Sequence, residues 1–213
     1  MFPTAAMLTS IFFIGGLLSA VEAVPAVVPS NLPVTAWMSW EGGVDIVGMT
    51  KPGLTQPNLI LHVARMVHTP IGTAASGLVV WQPDPAAPPV IFGMISEDPR
   101  VGAYFGPQIF AGTPFEKAPV LPAKISIEIL GDKAASRIEV AGHIFTVTLT
   151  GLAPIQMVDR PAGPMPFRHL GLESAATTVV VTIDGKPVAV TIPSTTPGTG
   201  PAAVYSQTGL YAR

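Results

Sequence analysis

The feature that most constrains the fold is a run of β-branched residues interrupted by an Asp-Gly pair. Residues 177–192 consist of TTVVVTI, then Asp184 and Gly185, then KPVAVTI. β-Branched residues favour strands. An Asp-Gly pair tolerates the positive φ that both central positions of a type I′ turn require. We therefore predict a tight β-hairpin with Asp184 and Gly185 at its tip.

A period of two recurs along most of the chain. Residues 124–130, 137–140 and 143–150 alternate apolar and polar side chains, which is typical of half-buried strands. Further strands are expected at residues 34–40, 44–49, 58–67, 77–82 and 90–95. Strands this short, about ten in number and separated by turn signals, predict an all-β fold. We expect an antiparallel β-sandwich or a partly open barrel, without an amphipathic helix of twelve residues.

Two long segments lack this strand pattern. Residues 96–123 and 151–176 are rich in glycine and proline. Irregular segments of this length are uncommon in compact domains and are often functional. We therefore expect two long Gly/Pro-rich loops that connect the strands.

The chain begins with a hydrophobic segment at residues 5–20. Val21 and Ala23 match the small-residue pattern before a signal-peptide cleavage site, although Met1 to Thr4 contain no Lys or Arg. The apolar run is shorter than the roughly 20 residues that span a bilayer. We predict a signal peptide at residues 1–23, cleaved after Ala23, and a single β domain at residues 24–213 that is secreted or periplasmic and has no membrane span. The alternatives are a retained anchor at residues 5–20 and a buried helix.

The composition excludes several classes of protein. Only 11% of the 213 residues are charged, with 11 basic and 13 acidic side chains, whereas about 25% is usual. A nucleic-acid partner is not expected, because such proteins need a clustered basic surface. The chain has no cysteine, which excludes disulfides, thiolate metal sites and cysteine nucleophiles.

Short catalytic motifs are also missing from the sequence. No serine lies in a GxSxG or SxxK motif, and no glycine-rich segment has the spacing of a phosphate-binding loop. His62 and His68 are too far apart along one strand to share a metal ion. We therefore predict no catalytic residue, no metal site and no cofactor.

The densest group of ionisable residues lies in the second long loop, and it comprises Asp159, Arg160, Arg168, His169 and Glu173. A guanidinium group can clamp a carboxylate through two hydrogen bonds. One hypothesis is that Asp159, Arg160, Arg168 and His169 bind an acidic group of a ligand or partner. The alternative is that these charges pair with one another and hold the loop in place.

Trp40 and Trp81 form a second candidate binding surface, because an indole ring can stack on a sugar ring. Trp37 and Trp40 are three residues apart, so they face opposite ways on one strand. The alternative for each tryptophan is burial in the core.

The hydrophobic start followed by alternating strands resembles many exported β-sandwich proteins. This is an architectural likeness without a diagnostic motif, and sandwiches carry many unrelated functions. We expect an exported, non-catalytic protein of the cell envelope or extracellular space that binds a protein or a glycan, or associates with itself. The alternative is a secreted hydrolase whose active site is assembled from the two long loops.

Overall fold

A computed structural model of the chain describes residues 37–162, 167–194 and 200–212. Within these ranges the protein has eleven strands, one α-helix and one 3₁₀ turn. The elements are β1 (Trp37–Gly48), β2 (Leu59–Thr69), β3 (Gly72–Trp81), β4 (Ile91–Ser96), α1 (Pro99–Ile109), the 3₁₀ turn (Pro114–Lys117), β5 (Val120–Leu130), β6 (Lys133–Val140), β7 (His143–Leu152), β8 (Gln156–Arg160), β9 (Arg168–Ile183), β10 (Lys186–Val188) and β11 (Ala203–Ala212). The predicted all-β fold is confirmed.

The strands form one sheet whose two ends meet. The order is β10-β9-β11-β1-β2-β3-β4-β5-β6-β7, and β7 also pairs with β9, so the hydrogen-bonded strands form a ring. The first half of β9 pairs with β8 and β11, and its second half pairs with β7 and β10. All neighbours are antiparallel except β4 and β5, which share a short parallel ladder from Met94 to Ser96.

The main core fills the inside of this ring. Val44, Leu61, Ile138 and Phe145 are among its fully buried members. In β5 the predicted alternation is confirmed for Ile125 and Ile127, which enter this core, whereas Ile129, predicted on the same face, is 41% exposed. Apolar burial on the inner face is what specifies the register of each strand.

A second core lies on the outer face of the sheet under helix α1. Val101, Phe105 and Ile109 of the helix pack with Leu78 and Met94 of the sheet. Asp98 caps the helix, because its side chain accepts a hydrogen bond from the Arg100 N–H.

The expectation that residues 96–123 form a loop is wrong, because this segment holds helix α1. The helix is only eleven residues long, and it contains two glycines and Pro107, which obscure the helical pattern in the sequence. Its stability comes from tertiary packing of one face rather than from intrinsic propensity.

The expectation that residues 151–176 form a loop is also wrong, because β8 and the first half of β9 lie there. This half of β9 reads RHLGLESA, in which pairs of polar residues flank a short Leu-Gly-Leu segment, so it gives little apolar strand signal. This half of β9 is a strand because it pairs with β8 along one edge and with β11 along the other.

Two tight hairpins have a residue and a glycine with positive φ at their tips. Asp184 and Gly185 have φ of 54° and 74° at the tip between β9 and β10, as predicted. Ala141 and Gly142 have φ of 50° and 81° between β6 and β7. Pro187 is in β10, which pairs only with β9 and forms an edge, as expected for a residue without an N–H donor.

The predicted signal peptide and its cleavage site after Ala23 lie outside the described residues, and export therefore stays a prediction. Among the helices that the structure describes, none is long and apolar enough to cross a bilayer.

Candidate functional site

The predicted arginine cluster lies on β8 and β9 and is paired internally. The guanidinium of Arg160 makes two hydrogen bonds of 2.7 Å to the carboxylate of Glu173, and both side chains are largely buried. This hydrogen bonding raises the pKa of Arg160. On the exposed side of the same strands, Arg168 binds both carboxylate oxygens of Asp159, with 2.7 Å between Nε and Oδ1. Both guanidinium groups are therefore occupied, as the pairing alternative predicted.

His169 completes the buried part of this cluster. Its Nδ1 lies 3.0 Å from Nη1 of Arg160. Since a guanidinium can only donate, Nδ1 must accept and the ring proton must sit on Nε2. Burial lowers the pKa of His169, so that the ring is neutral at neutral pH. Its Nε2 is 3.4 Å from Oε1 of Glu173 and makes no hydrogen bond within the described residues.

Trp40 packs against the same cluster. Its half-buried ring contacts His169 edge-on at 5.1 Å and Tyr211 at 4.8 Å, and its Nε1 donates to Ser206 at 2.9 Å. Burial raises the pKa of Tyr211 far above its ordinary value. A Cβ on Gly209 would lie 2.1 Å from Cζ2 of Trp40, so this position must be glycine for the ring to lie on β11. Trp40 therefore packs against the sheet, and its predicted role in binding stays untested.

Trp81 is half-buried at the end of β3. It makes edge-on contacts with His143 at 5.1 Å and with Phe145 at 5.6 Å between ring centroids. The predicted binding residues therefore separate into two regions: the β8–β9 cluster with Trp40, and Trp81 beside His143. A ligand-binding role for any of the six stays a prediction.

All four histidines of the chain lie beside a carboxylate. The pairs are His62 with Asp45 at 3.1 Å, His68 with Glu41 at 3.2 Å, His143 with Asp184 at 2.8 Å and His169 with Glu173 at 3.4 Å. The sequence does not reveal the first three pairs, because their members are 17, 27 and 41 residues apart. The register of β1 against β2 brings the first two pairs together. The contact of the β9–β10 hairpin tip with the start of β7 brings the third pair together.

Of the four histidines, His143 also lines an open groove of about 650 Å³. The groove lies where β5 begins, β6 ends and β7 begins. Its polar lining consists of Glu97, Lys124, Glu139 and His143. Ser, Thr, Cys and Tyr are absent from the described residues that line it.

Asp184 fixes the orientation of His143. Oδ2 of Asp184 lies 2.8 Å from Nδ1 of His143, and Oδ1 accepts a hydrogen bond from the Ile144 N–H at 2.9 Å. The hydrogen bond from His143, followed by that from Ile144, lowers the pKa of Asp184, so the group is a carboxylate at neutral pH. A carboxylate only accepts, so the proton of neutral His143 sits on Nδ1 and Nε2 carries a free lone pair.

Ala141 lines the same groove in a strained backbone conformation. Its φ of 50° lies in the left-handed region, which costs a residue with a Cβ about 1–2 kcal/mol. Strained residues are concentrated at functional sites. Here the two-residue turn between β6 and β7 itself requires the positive φ, so the strain belongs to the hairpin tip.

The His62–Asp45 pair has similar geometry and lies outside the groove of His143. Nδ1 of His62 lies 3.1 Å from Oδ1 of Asp45, and both side chains are about one-third to two-fifths exposed. Neither residue lines the groove of His143. This pair therefore provides a matched comparison for His143 and Asp184.

A metal centre has no support among the described residues, where no group of three or more His, Cys, Asp and Glu side chains could hold an ion.

Comparisons with known proteins give one structural likeness. No family model matches the chain, and no curated protein matches it. The crystal structure of an acetoacetate decarboxylase from Legionella pneumophila subsp. pneumophila str. Philadelphia 1 matches with a TM-score of 0.38 and 9% identity, covering 84% of this chain and 86% of that one.

The matched structure is that of an enzyme, which gives the expectation of a non-catalytic binding or structural protein no support, and export stays a prediction. The alternative of a secreted hydrolase built on two long loops also loses its basis, since those segments hold a helix and strands. At this TM-score and identity, neither the activity nor the substrate of the decarboxylase is carried over to this chain.

Proposed function

We propose that the protein is an enzyme in which His143 transfers a proton to and from a small organic molecule bound in the groove. The observation that carries the proposal is the 2.8 Å contact between Asp184 and His143 Nδ1, at a histidine that lines the groove. This contact leaves Nε2 as a proton acceptor.

The lining of the groove favours proton transfer over covalent catalysis by a hydroxyl or a thiol. A nucleophilic mechanism of the serine or cysteine type needs a hydroxyl or thiol beside the base, and the described lining has neither. A histidine held by a carboxylate serves as a general base, and the carboxylate stabilises the imidazolium that forms. His143 then returns the proton as a general acid.

The surroundings of His143 support this role. Trp81 contacts the ring edge-on at 5.1 Å, while Asp184 fixes its other side. The ring is thus held between an aromatic wall and a carboxylate, and 30% of the side chain remains exposed to the groove and solvent. Such pre-orientation is what a general base requires before substrate binds.

The test is exchange of carbon-bound protons with solvent. A panel of small molecules with acidic C–H bonds is incubated in heavy water with the full chain, and the loss of each C–H signal is followed by proton NMR. We expect wild type to accelerate exchange for at least one compound, His143→Gln to reduce that acceleration by about 100-fold or more, and His62→Gln to leave it unchanged. Equal loss from both substitutions, or no acceleration by wild type, would overturn the proposal.

A further inference from the structure

Exposed apolar side chains are concentrated at one end of the ring of strands. Strand register places the β2–β3 turn, the β5–β6 turn, the link from β7 to β8 and the last residues of β11 at this end. Six of the eight large apolar side chains that are exposed in the described residues lie there, and we call them the apolar rim: Ile71, Ile129, Leu130, Ile155, Met157 and Leu210. Such a concentration marks an interaction site, whereas single exposed apolar residues are normal.

Leu130 and Met157 are the most exposed members of the apolar rim. Leu130 ends β5 at the hairpin with β6 and is 81% exposed, and Met157 lies on β8 and is 83% exposed. These strands do not pair with each other, so the two side chains project from separate elements. Separate apolar points suit a lipid layer that each of them can enter. A stable protein interface needs a continuous and closely packed surface instead.

The charges at this end are compensated within the protein. The basic side chains that the structure describes there lie beside acidic ones: Arg65 beside Glu41, Arg100 beside Asp98, Lys133 beside Asp132, Arg160 beside Glu173 and Arg168 beside Asp159. A membrane surface that is bound through charge needs a cluster of uncompensated Lys and Arg. Binding at this end would therefore come from apolar insertion, without a preference for anionic headgroups.

The chain also enters the β domain at this end. β1 begins at Trp37, and its next residues pair with the last residues of β11, where Ser39 lies opposite Leu210. In the sequence, the apolar run at residues 5–20 precedes this entry. An anchor at residues 5–20, the alternative to a cleaved signal peptide, would therefore tether the domain by the end that carries the apolar rim.

We propose that the apolar rim docks on a lipid bilayer, with Leu130 and Met157 inserted into its interfacial layer. The groove of His143 lies at the opposite end of the ring, because β6 ends and β7 begins there. The docked protein therefore keeps the groove open to water. Docking does not depend on the proposed function, and each can fail without the other.

The test uses single spin labels, which the absence of cysteine from the chain makes possible. Leu130→Cys and Met157→Cys place a label on the apolar rim. Val90→Cys and Val180→Cys are matched controls, because these valines are about half exposed and lie outside the rim. Each labelled full chain is mixed with phosphatidylcholine vesicles. Electron paramagnetic resonance then measures the access of the label to oxygen, which concentrates in lipid, and to a nickel complex, which stays in water.

We expect vesicles to raise access to oxygen and lower access to the nickel complex at positions 130 and 157 only. Both labels should lie about 5–10 Å into the boundary between headgroups and acyl chains, and high salt should not release them. No shift at these positions, an equal shift at all four, or a shift that high salt abolishes would overturn the proposal. Loss of access to both reagents at 130 and 157 before vesicles are added would also overturn it, because a second copy or another segment of the chain would then cover the rim.

Discussion

Asp184, at the tip of the β9–β10 hairpin, holds Nδ1 of His143 at 2.8 Å across 41 positions of sequence. The same carboxylate binds the Ile144 N–H, and the Asp184 N–H donates to the Ile144 carbonyl. The hairpin tip is therefore fastened to the start of β7 by three hydrogen bonds. One turn residue thus stabilises the ring of strands and orients the histidine of the groove.

Asp184→Asn should reduce catalysis more than it reduces stability. An asparagine can still accept from one donor, but it lacks the charge that stabilises the imidazolium. We expect the rate of C–H exchange to fall by about 100-fold or more, with its pH profile altered. Asp45→Asn, at the His62 pair, should leave the rate unchanged, and an equal effect of the two substitutions would contradict a special role for Asp184.

Protonation of Asp184 should make the protein less stable in acid. Its pKa is lowered in the folded state from the ordinary value of 3.8, so its stabilising contribution is present above that value and is lost as pH falls through the lower folded pKa. Thermal unfolding of wild type and Asp184→Asn should therefore differ most near neutral pH and converge at the lowest pH. A difference that grows on acidification would contradict this linkage.

His169 should produce a second, milder dependence on pH. Burial lowers its pKa from the ordinary value of 6.5, so the unfolded chain takes up a proton more readily than the folded one as pH falls below that value. Stability should therefore decline as pH falls below about 6.5 towards the lower pKa of the folded state. His169→Gln should show a flatter profile over this range in thermal unfolding, whereas an unchanged slope would show that His169 is not the source.

The two arginine pairs should contribute unequally to stability. Arg160→Ala leaves the carboxylate of Glu173, only 11% exposed, without its partner, and we expect a loss of about 2–3 kcal/mol in the free energy of unfolding. Arg168→Ala removes an exposed pair and should cost less than about 1 kcal/mol. Chemical denaturation measures both, and equal losses would contradict the difference in burial.

At the β6–β7 turn, glycine in place of Ala141 should stabilise the protein, and alanine in place of Gly142 should destabilise it. Ala141→Gly relieves a φ of 50° and should stabilise the protein by up to about 1 kcal/mol, within the range for such exchanges. Gly142→Ala places a Cβ at φ of 81° and should destabilise it. Destabilisation by Ala141→Gly would show that the alanine side chain makes a contact worth more than the strain.

The sequence predicts the strands whose alternation is driven by burial, such as residues 124–130 and 143–150, because one face of each enters the core. The Asp184-Gly185 turn is predictable for a local reason, since its residues match the backbone that they adopt. Helix α1 is not predictable in this way. It depends on packing against the sheet, and Pro107 hides its pattern.

The candidate site is less predictable than the fold, because its members come from separate strands. His143 and Asp184 each look ordinary in sequence, at the start of one strand and the tip of a distant hairpin. Their contact depends on the pairing of β7 with β9, for example Phe145 with Ile183. The density of charged residues along the sequence instead predicts a site at Arg160 and Arg168. Their partners, Glu173 and Asp159, lie within the same two strands.

The protonation state of the two nitrogens of His143 tests the central claim most directly. Long-range proton–nitrogen NMR of the labelled full chain, at a pH where the ring is neutral, distinguishes a protonated ring nitrogen from one with a free lone pair. The account predicts that Nδ1 carries the proton and Nε2 the lone pair, and that Asp184→Ala populates the other tautomer. A wild-type His143 with its proton on Nε2 would contradict the assignment of His143 as the base of the groove.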